Sequence, residues 1–551
     1  MTTSRRDFLA GLAAAGVGLP RLTAVGPHQG VQSSAIAQPT AAQLAWQDLE
    51  LGMFVHFGPN TWQDQEYDDR STPLDTIKPD IDTDQWVETA VGMGARYIVM
   101  VAKHVGGFCW WQTDTTEYSV RNIPWRNGSG DVMADLARSC AARGVQLGVY
   151  LSPRDDSVGA GGSGRCATPE AQAAYDRLYR HQLTELLSRY GPIMELWLDG
   201  SSVVPTSDIV SRFAPEAMIF QGPDATIRWV GNEDGFAPYP CWNALAAIDA
   251  DTGVATAMHG DANGDRWLPV EVDVSLRRPN WFWSTTNHAN LLSLDELVEI
   301  YYRSVGRGAQ LLLNVTPDRS GRVPDADVRR LAEFGDLIRR RFGRPVAETG
   351  GARRVFTLTM GGPRRVDHVL LEERLETGER VRGWLLEGFD GTSWVPLGSG
   401  SAIGRRHIQP VGPVTVTGLR LSISQTAGEP WIRRFAAFDT GSAPPATWAD
   451  PVHLWAEDVV GGWQAGDAEI DLTGHLASSG TYRVRFASQS AAPILADRIA
   501  LVVDEVPRPG LVRRERGRED VVLVTVPNPD AAIVLHVVLA GRGGQVLLRR
   551  I

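Results

Sequence analysis

The feature that most constrains the fold is an alternation of apolar β-type runs and amphipathic helical patterns between Ala42 and Gly343. Strands that are apolar throughout, each followed by a helix, are typical of a parallel sheet covered by helices. About 300 residues of this pattern predict an α/β fold, a (β/α)8-type, TIM-like barrel. The predicted strands are Gly52–Phe57, Tyr97–Ala102, Gln146–Ser152, Met194–Leu198, Met218–Gln221 and Gln310–Val315. The predicted helices are Asp84–Gly92, Asp131–Arg143, Pro169–Arg189, Leu294–Ser304 and Asp325–Arg340.

The region Phe236–Asn287 has to supply the barrel strands that these runs leave missing. It is rich in Trp, Asn, Asp and Gly, a composition that favours loops over regular structure. We therefore expect long loops there as well as the remaining strands.

After Gly343 the pattern changes to short alternating runs separated by turn residues, such as Val366–Leu371 and Val414–Ile423. Runs of this kind are typical of β-sandwiches. The segment Gly441–Ala446, with its two prolines, is interpreted as a linker. The predicted domains are the barrel catalytic domain at 42–344, a galactose-binding-like β-sandwich at 345–441 and a second all-β sandwich at 448–551.

The N-terminal residues 1–37 are interpreted as a targeting signal and not as part of the fold. The run SRRDFL at positions 4–9 has the form of a twin-arginine signal, an apolar stretch follows it, and AIA at positions 35–37 suits a cleavage site. We therefore expect export by the twin-arginine route to the periplasm or the extracellular medium. No later segment has the roughly 18 continuous apolar residues that span a bilayer, so no membrane span is expected.

Charge and cysteine content argue against several classes of partner. The net charge of -11 argues against nucleic acid, because a phosphate backbone requires a basic protein surface, and it suits a neutral ligand such as a sugar. The four cysteines form no C-x-x-C pair, so neither a disulfide scaffold nor a zinc site is predicted. The sequence implies no metal or organic cofactor, and it leaves the oligomeric state open.

Polar and aromatic side chains stand at the ends of the first four predicted strands. The first strand ends near His56, the second leads into His104, the third carries Tyr150 near its end, and the fourth leads into Asp199. Functional side chains of a (β/α) barrel cluster at the carboxyl ends of the strands. The pattern therefore predicts that these four residues meet at the open end of the barrel.

Asp199 is the sharpest single signal. An aspartate at the end of a strand, followed by glycine, often only forms a turn or caps a helix. Trp197, however, lies on the same face of the strand, because side chains alternate along it. An aromatic ring beside a carboxylate favours a sugar site, since the ring packs on the apolar face of the sugar while the carboxylate attacks carbon. Asp199 is therefore predicted to be the nucleophile of a glycosidase.

A retaining glycosidase needs a second carboxyl group, about 5 Å from the first, that acts as acid and then as base. Glu233 follows Trp229 and Gly231 in what reads as a partly apolar loop, and such surroundings help a carboxyl group to hold a proton near neutral pH. Glu271 suits the acid/base role less well, because it serves equally as a ligand of a sugar hydroxyl or as an ion-pair partner of a nearby arginine. Glu233 is preferred and Glu271 remains the alternative, although either glutamate could also be a solvated loop residue.

The tryptophans add support for a ligand cleft. The chain has 18 of them, and while several must fill the core, tryptophans in loops at strand ends more often line a binding site. Those predicted to lie in loops of the first domain are Trp62, Trp110, Trp111, Trp125, Trp229, Trp242, Trp281 and Trp283.

Taken together, these motifs resemble the α-L-fucosidases of glycoside hydrolase family 29, most closely the subgroup that cleaves α-1,3/1,4-linked fucose. The resemblance extends over about Trp46–Pro317. The segments that carry it are GMFVHFGPNT at 52–61, KHVGGFC at 103–109, YSV at 118–120, PW at 124–125, WLDG at 197–200, RWVGNE at 228–233 and the loop 271–283.

The resemblance implies an exported retaining exo-glycosidase that releases terminal α-L-fucose from a fucosylated oligosaccharide or glycoconjugate. Asp199 is then the nucleophile and Glu233 the acid/base. The substrate-binding residues implied are His56, Glu66, His104, Trp111, Tyr150, Trp197, Trp229, Glu271 and Trp283.

The sequence departs from the family pattern where sugar hydroxyls are recognised. The family's second strand usually ends Lys-His-His-Asp-Gly-Phe, and Val105 and Gly106 stand in place of the second histidine and the aspartate. Arg154 stands where the subgroup commonly has tryptophan. A related activity, such as that of an α-L-galactosidase, and a non-catalytic carbohydrate-binding protein are the alternatives, and the presence of both Asp199 and Glu233 favours catalysis.

Overall fold

The chain folds into the predicted barrel followed by antiparallel sheets. The structure is a computed structural model that describes residues 36–200, 202–222, 224–245, 259–449, 452, 458–463, 465–472, 480–487, 495–504, 506–514, 521–526, 532–540 and 544–550. The predicted signal at 1–37 therefore lies outside the described residues except for its last two positions.

Eight parallel strands form the barrel, in the order β5–β4–β3–β2–β1–β10–β9–β6. A bridge between Phe220 at the end of β5 and Ile227 just before β6 brings the two edges together, so the barrel is nearly closed. The TIM-like fold predicted from the sequence is thus confirmed. The barrel strands are β1 (Leu51–Val55), β2 (Tyr97–Lys103), β3 (Gln146–Leu151), β4 (Ile193–Trp197), β5 (Met218–Phe220), β6 (Arg228–Trp229), β9 (Val270–Ser275) and β10 (Gln310–Asn314). A separate antiparallel pair consists of β7 (Ala244–Leu245) and β8 (Arg266–Trp267).

The two barrel strands missing from the prediction are β6 and β9. β9 lies within the region Phe236–Asn287, but β6 precedes it, so the prediction that this region supplies all the missing strands was wrong. Since β6 has only two residues, it carries no periodicity by which a sequence pattern could identify it.

The helices that cover the barrel begin and end at strong local signals. Asp82 caps the helix Thr83–Met93, accepting a hydrogen bond from the Gln85 N–H at 3.0 Å, and that helix ends at Gly94 with a left-handed φ of 94°. Ser293 and Glu296 form a capping box at the helix after β9. The helices are α1 (Ala41–Gln47), α2 (Asn60–Gln63), α3 (Thr83–Met93), α4 (Val132–Arg143), α5 (Pro169–Arg189), α6 (Ser207–Phe213), α7 (Leu294–Arg303) and α8 (Asp325–Phe342). Short 3-10 segments occur at Leu74–Thr76, Val120–Asn122, Trp125–Gly128, Gly162–Gly164, His288–Asn290 and Pro509–Leu511.

The barrel strands are buried on both faces, and alternate residues of each strand enter two different cores. Met53 and Val55 of β1 pack outward against the helices. Phe54, between them, points inward and packs with Tyr97 and Trp197 inside the barrel. The barrel interior is therefore filled by side chains, as expected for eight strands.

The first domain after the barrel is a six-stranded antiparallel sheet in the order β11–β16–β12–β15–β13–β14. Its long strand β12 alternates between buried and exposed residues in its first half and is buried throughout its second half. Leu370 in that second half packs with Phe438 and Phe342, which ends helix α8. The sheet therefore rests on the barrel. Its strands are β11 (Ala347–Ala352), β12 (Val355–Glu373), β13 (Val381–Phe389), β14 (Trp394–Gly400), β15 (His407–Thr426) and β16 (Trp431–Phe438).

Charged side chains reinforce this contact at the amino-terminal side of the barrel strands. Arg406 pairs with Glu50 just before β1 at 2.7 Å and with Glu372 of β12 at 2.9 Å. Arg405 pairs with Asp48 at 2.6 Å. The side of the barrel opposite the strand ends is thus bound to the neighbouring sheet.

The C-terminal part forms two antiparallel sheets that share one apolar core. Alternating inward residues such as Val522 and Val524 of β23 supply that core. One sheet has the order β17–β25–β19–β23–β22 and the other β18–β24–β20–β21. The strands are β17 (Asp458–Trp463), β18 (Gly466–Asp471), β19 (Gly480–Ala487), β20 (Leu495–Val503), β21 (Val506–Pro507), β22 (Val512–Arg514), β23 (Val521–Val526), β24 (Ile533–Ala540) and β25 (Gly544–Arg550). Among the described residues, no helix has both the length and the apolar character needed to cross a membrane.

Candidate active site

A pocket of about 390 Å³ lies at the carboxyl ends of the barrel strands. Its lining residues lie at or just beyond the ends of β1, β2, β3, β4, β6 and β9. In a (β/α) barrel this is the usual location of the active site. The lining residues are Phe54, His56, Glu66, Tyr67, His104, Tyr150, Trp197, Asp199, Glu233, Asp273, Pro279, Asn280 and Trp281.

Asp199 stands two residues beyond the end of β4, and solvent reaches its carboxylate through the mouth of the pocket. The Tyr150 hydroxyl donates a hydrogen bond to Asp199 Oδ2 at 2.9 Å. The surrounding protein raises the pKa of Asp199 through desolvation, while the Tyr150 hydrogen bond and the positive charge of Arg154 oppose the rise. One oxygen is therefore held in place, and the carboxylate still faces the pocket.

Glu233 enters the pocket from the segment that follows β6. β6 pairs with β9, which brings Glu233 close to Asp273. Asp273 is buried, and its pKa is raised well above the usual value, first by desolvation and then by the negative charge of Glu233. The Trp229 Nε1–H donates to Asp273 Oδ1 at 2.6 Å and so orients this carboxyl group. Two carboxyl groups from adjacent strands thus line the same pocket as Asp199.

Glu66 adds a carboxyl group from the loop after α2. Its Oε2 accepts a hydrogen bond from the Trp281 backbone N–H at 2.9 Å. Desolvation raises the pKa of Glu66 to about 7, and the negative charges of Glu233 and Asp199 add to the rise. Glu66 therefore lies close to both predicted catalytic carboxyl groups and changes its charge near neutral pH.

His56 presents a defined ring nitrogen to the pocket. Its Nδ1 lies 2.9 Å from Asn314 Oδ1. The amide nitrogen of Asn314 donates to the Trp281 carbonyl at 2.8 Å, so its oxygen must accept, and His56 Nδ1 must carry the proton. Desolvation lowers the pKa of His56 well below its usual value, and the nearby His104 ring contributes to the shift, so the imidazole is neutral. Nε2 is then left as a hydrogen-bond acceptor.

His104, Tyr150 and Trp197 form an aromatic wall. The His104 and Tyr150 rings lie 5.8 Å apart at 20°, and the Tyr150 and Trp197 rings 5.3 Å apart at 21°. Desolvation lowers the pKa of His104 to about 3. Its buried Nδ1 has no hydrogen-bond partner among the described residues. A neutral imidazole beside the pocket with an unused polar atom is suited to a sugar hydroxyl.

The departures from the family pattern are accommodated locally. Val105 is buried, and a Cβ at Gly106 would lie 2.4 Å from Asp68 Oδ2. The Asp68 carboxylate, which accepts a hydrogen bond from the Tyr118 hydroxyl at 2.8 Å, thus occupies the space that a side chain at position 106 would need. Arg154 is held by two hydrogen bonds of 2.8 Å to Asp156, and its guanidinium lies 5.8 Å from the centre of the Tyr67 ring at the rim of the pocket.

Four of the predicted site residues lie elsewhere than expected. Trp111 is fully buried behind β2, and its Nε1–H donates to Glu185 Oε2 of α5 at 2.8 Å, so it does not line this pocket. Trp229 supports Asp273 but is not among the lining residues, and Trp283 stacks beside Arg319 outside the pocket. The prediction failed for these three tryptophans because the position of a residue next to a strand end does not determine where its side chain points.

Glu271 is the fourth predicted residue that lies elsewhere than expected. It lies in β9 and is completely buried, so the expectation of a loop glutamate was wrong. The two arginines that could have paired with it bind elsewhere: Arg277 binds Asp327 at 2.5 and 2.9 Å, and Arg278 lies 3.9 Å from the Asp234 carboxylate. Glu271 faces the interior of the barrel below Trp197, where it accepts the Trp197 Nε1–H at 2.9 Å. It is therefore not in a position to protonate a substrate in the pocket.

The structure brings seven of the predicted site residues together at the pocket, where several residues that were not predicted also lie. Asp273 lies two residues beyond Glu271 on the same face of β9, a strand that was not predicted. Asn314 ends β10, which was predicted, so reading the end of that strand as well as the first four would have identified it. Tyr67 and Asn280 lie in loops for which the sequence has no such rule. The predicted residues that meet at the pocket are His56, Glu66, His104, Tyr150, Trp197, Asp199 and Glu233.

A grouping with metal-ligand spacing lies outside the pocket. Asp114, His181 and Glu185 could direct ligand atoms to one point. The Glu185 oxygens, however, already accept hydrogen bonds from Trp111 and Arg189 at 2.8 and 2.9 Å. The pocket itself is lined by several carboxyl groups, neutral imidazoles and an aromatic wall, which is a set of groups suited to acid–base and nucleophilic chemistry on a neutral polyol.

The chain is similar to known proteins over the barrel and beyond. A sequence profile described as Alpha-L-fucosidase matches residues 63–341. Alpha-L-fucosidase 1 of Arabidopsis thaliana is 34% identical over 366 residues, which cover 63% of this chain and 70% of that protein.

Solved structures are similar in fold. A glycoside hydrolase 29 family member from an unknown rumen bacterium is 26% identical with a TM-score of 0.67, covering 94% of this chain and 100% of that chain. The Ruminococcus gnavus GH29 fucosidase in complex with fucose is 26% identical with a TM-score of 0.66, covering 73% of this chain and 95% of that chain.

Proposed function

The chain belongs to the α-L-fucosidase family, glycoside hydrolase family 29, and we propose that it is an exported retaining exo-glycosidase that releases terminal α-L-fucose by double displacement. The observation that carries this proposal is that Asp199 and Glu233 face the same pocket at the carboxyl end of the barrel. The pocket is closed below by Phe54 and Trp197, so it suits one sugar at the end of a glycan rather than a chain that passes through.

The first step of the proposed mechanism joins the sugar to the enzyme. Asp199 attacks the anomeric carbon, the bond from that carbon to the leaving oxygen breaks, and Glu233 gives its proton to that oxygen. The Tyr150 hydroxyl, 2.9 Å from Asp199 Oδ2, holds one oxygen of the nucleophile so that the other can attack.

The second step releases the sugar. Glu233, now a carboxylate, takes a proton from water, and the resulting hydroxide attacks the same carbon while the bond to Asp199 breaks. Two inversions give net retention, and both carboxyl groups return to their starting protonation states.

Recognition of the sugar falls to the remaining lining residues. His56 Nε2 accepts a hydrogen bond, and Glu66 accepts one as a carboxylate or donates one when protonated. Trp281 and Trp197 present ring surfaces to the apolar face of the sugar and its methyl group. Fucosylated oligosaccharides or glycoconjugates are the proposed substrates.

Export is proposed from the SRRDFL run at positions 4–9. Fusing the first 40 or so residues to a reporter, with Arg5 and Arg6 intact or both replaced by lysine, tests it. We expect the reporter to be exported only with intact arginines and only in a host whose twin-arginine pathway works. Export of the double-lysine version at an equal rate would contradict this route.

The retaining mechanism is tested by proton NMR of an aryl α-L-fucoside during hydrolysis. We expect the α-anomer of fucose to appear first and the β-anomer to grow in by mutarotation. If β-fucose appears first, the mechanism is inverting and Asp199 is not a nucleophile. The Asp199→Ala variant serves as the control for spontaneous hydrolysis.

The identity of the sugar is tested in the same assay with an aryl α-L-galactoside, which carries a hydroxymethyl group where fucose has a methyl. We expect kcat/KM to favour the fucoside. A preference for the galactoside would assign the substrate to that class, and binding of both sugars without release of the aryl group would support a non-catalytic carbohydrate-binding protein.

A further inference from the structure

The barrel holds a second pair of carboxyl groups below the pocket, which the catalytic proposal does not use. Glu195 of β4 and Glu271 of β9 are both completely buried and face the interior. Each lies two residues before an inward residue that lines the pocket, Trp197 on β4 and Asp273 on β9. Because side chains on one face of a strand repeat every two residues, the pair forms the layer beneath the pocket.

Small residues make room for this layer. A Cβ on Gly52 would lie 2.2 Å from the Tyr97 ring, and one on Gly148 would lie 3.2 Å from the Glu195 Cβ. Glycine at these two strand positions therefore leaves interior volume for Tyr97 and Glu195.

Three donors bind three of the four carboxyl oxygens. Trp46 Nε1–H donates to Glu195 Oε2 at 2.8 Å, Trp197 Nε1–H donates to Glu271 Oε1 at 2.9 Å, and the Tyr97 hydroxyl donates to Glu271 Oε2 at 3.2 Å. Glu195 Oε1 is buried and has no donor among the described residues.

The two carboxyl groups lie within hydrogen-bonding reach of each other. Ionised carboxylates only accept hydrogen bonds, so such a contact requires a proton on one of them. In the described part of the chain, neither group has an arginine or lysine partner that could stabilise two negative charges. The facing titratable groups are Tyr97 from β2 and Asp273 from β9, and neither supplies a positive charge.

We propose that Glu195 and Glu271 share one proton inside the barrel and that this pair is a positioning device for Trp197. The shared proton binds the otherwise unpartnered Glu195 Oε1 and leaves Glu271 Oε1 to hold the indole. The Trp197 ring is stacked on Phe220 at 4.0 Å and on Tyr150 at 5.3 Å, and Tyr150 donates to Asp199. Glu271 thus acts on the nucleophile through two aromatic rings without touching substrate.

Protonation equilibria support this geometry. Desolvation raises the pKa of Glu195 to about 7. Desolvation and the negative charge of Glu195 together raise the pKa of Glu271 well above its usual value. The native state therefore keeps protons that the unfolded chain releases above about pH 4.5. Between about pH 4.5 and 7 the pair makes the native state progressively less stable relative to the unfolded state, because the unfolded state binds fewer protons there.

The proton is tested with Glu195→Gln, whose amide N–H can replace the shared proton but does not titrate. We expect the infrared band of a protonated carboxyl group to persist at neutral pH in the wild type and to weaken in Glu195→Gln. We also expect the melting temperature of Glu195→Gln to rise relative to that of the wild type as the pH increases from 4.5 to 7. An unchanged band, or a melting difference that stays constant over this range, would overturn the shared proton.

The positioning role is tested with Glu271→Leu and its conservative partner Glu271→Gln. We expect Glu271→Leu to lower kcat for an aryl α-L-fucoside about tenfold or more, with a smaller change in KM and an altered near-ultraviolet circular dichroism signal of tryptophan. Glu271→Gln should restore most of kcat, because its amide oxygen still accepts the Trp197 N–H. If Glu271→Leu folds and keeps full kcat, or if Glu271→Gln folds without restoring it, the positioning role is wrong.

Glu185→Gln is the matched control, since Glu185 accepts a tryptophan Nε1–H at 2.8 Å in the same way but outside the barrel. We expect it to leave kcat and the barrel tryptophan signal unchanged, and a loss of kcat equal to that of Glu271→Leu would overturn a specific role for the barrel pair. The inference rests on the proposed function only for its kinetic readout. If the wild type hydrolyses no α-L-fucoside, the proposed function fails, while the infrared and melting experiments still decide whether the pair shares a proton.

Discussion

The carboxyl groups inside the barrel form two sets that differ in depth. Asp199 and Glu233 stand beyond the ends of their strands and face a pocket of about 390 Å³. Glu195 and Glu271 lie within their strands, are completely buried and accept hydrogen bonds from tryptophan side chains. On β4 the two sets are separated by four residues, roughly 13 Å of extended chain.

This comparison shows that depth along a strand, and not residue type, decides what a carboxyl group can do. At the mouth, a carboxylate meets solvent or substrate and can attack carbon or exchange a proton. In the interior, desolvation makes a second negative charge too costly, so a proton is retained and the group serves as a hydrogen-bonding anchor.

Removing the nucleophile at the mouth gives the largest effect. We expect Asp199→Ala to lower kcat at least about 10⁴-fold with little change in melting temperature, because the covalent step is lost and the side chain faces solvent. Steady-state kinetics and thermal melting measure both quantities. Asp208→Ala, on the exposed surface of α6, is the control, and a nearly active Asp199→Ala would remove the basis of the assignment.

The acid/base at the mouth ranks second. We expect Glu233→Gln to slow hydrolysis of fucosyl oligosaccharides about 10²- to 10⁴-fold. Aryl fucosides with a very acidic phenol should be affected far less, because their leaving group needs no proton. The ratio of the two losses is the measurement. If Glu66→Gln, and not Glu233→Gln, shows this dependence on the leaving group, the two residues exchange roles.

Glu66 is expected to contribute less, since it binds sugar and does not react. Replacing it with glutamine should lower kcat/KM about 10- to 100-fold, the loss expected for a hydrogen bond to a charged group. Because the pKa of Glu66 is raised to about 7, its carboxyl group ionises as the pH rises through 7. The ionised group is a stronger acceptor of a hydrogen bond from a sugar hydroxyl. The pH profile of kcat/KM should therefore lose a transition near pH 7 in Glu66→Gln, and a profile that keeps it would assign that ionisation to another group.

The smallest effect is expected at Trp111. Its bond to Glu185 repeats the bond of Trp197 to Glu271, but it lies outside the barrel and away from the pocket. Trp111→Phe should change kcat and KM by no more than about twofold, while Trp197→Phe should lower kcat clearly. Kinetics of the two variants side by side measure the difference. Equal losses would mean that Trp111 contributes to the site.

Local sequence signals specified the barrel elements well. The predicted helices Asp84–Gly92 and Leu294–Ser304 agree with α3 and α7 within a residue or two, because capping side chains and terminal glycine specify helix ends locally. β6 was not predicted because two residues are too few to show the alternation of a strand. It is recognised as a strand by its pairing with β9. Strand ends likewise predicted His56, His104 and Asp199, whereas loop tryptophans such as Trp111 and Trp283 could not be placed.

The sequence by itself determined the order of strands and helices, the family, and the strand ends where functional side chains stand. Each of these depends on residues that are close together along the chain. Tertiary structure alone decided which carboxyl groups face the pocket and which face each other in the interior. Glu271 and Asp273 are two residues apart in one strand, yet one binds Trp197 below the pocket and the other lines it. The position of each side chain along the barrel axis depends on the register of eight strands, which come from across about 300 residues. This register is a long-range property, and a local sequence pattern does not determine it.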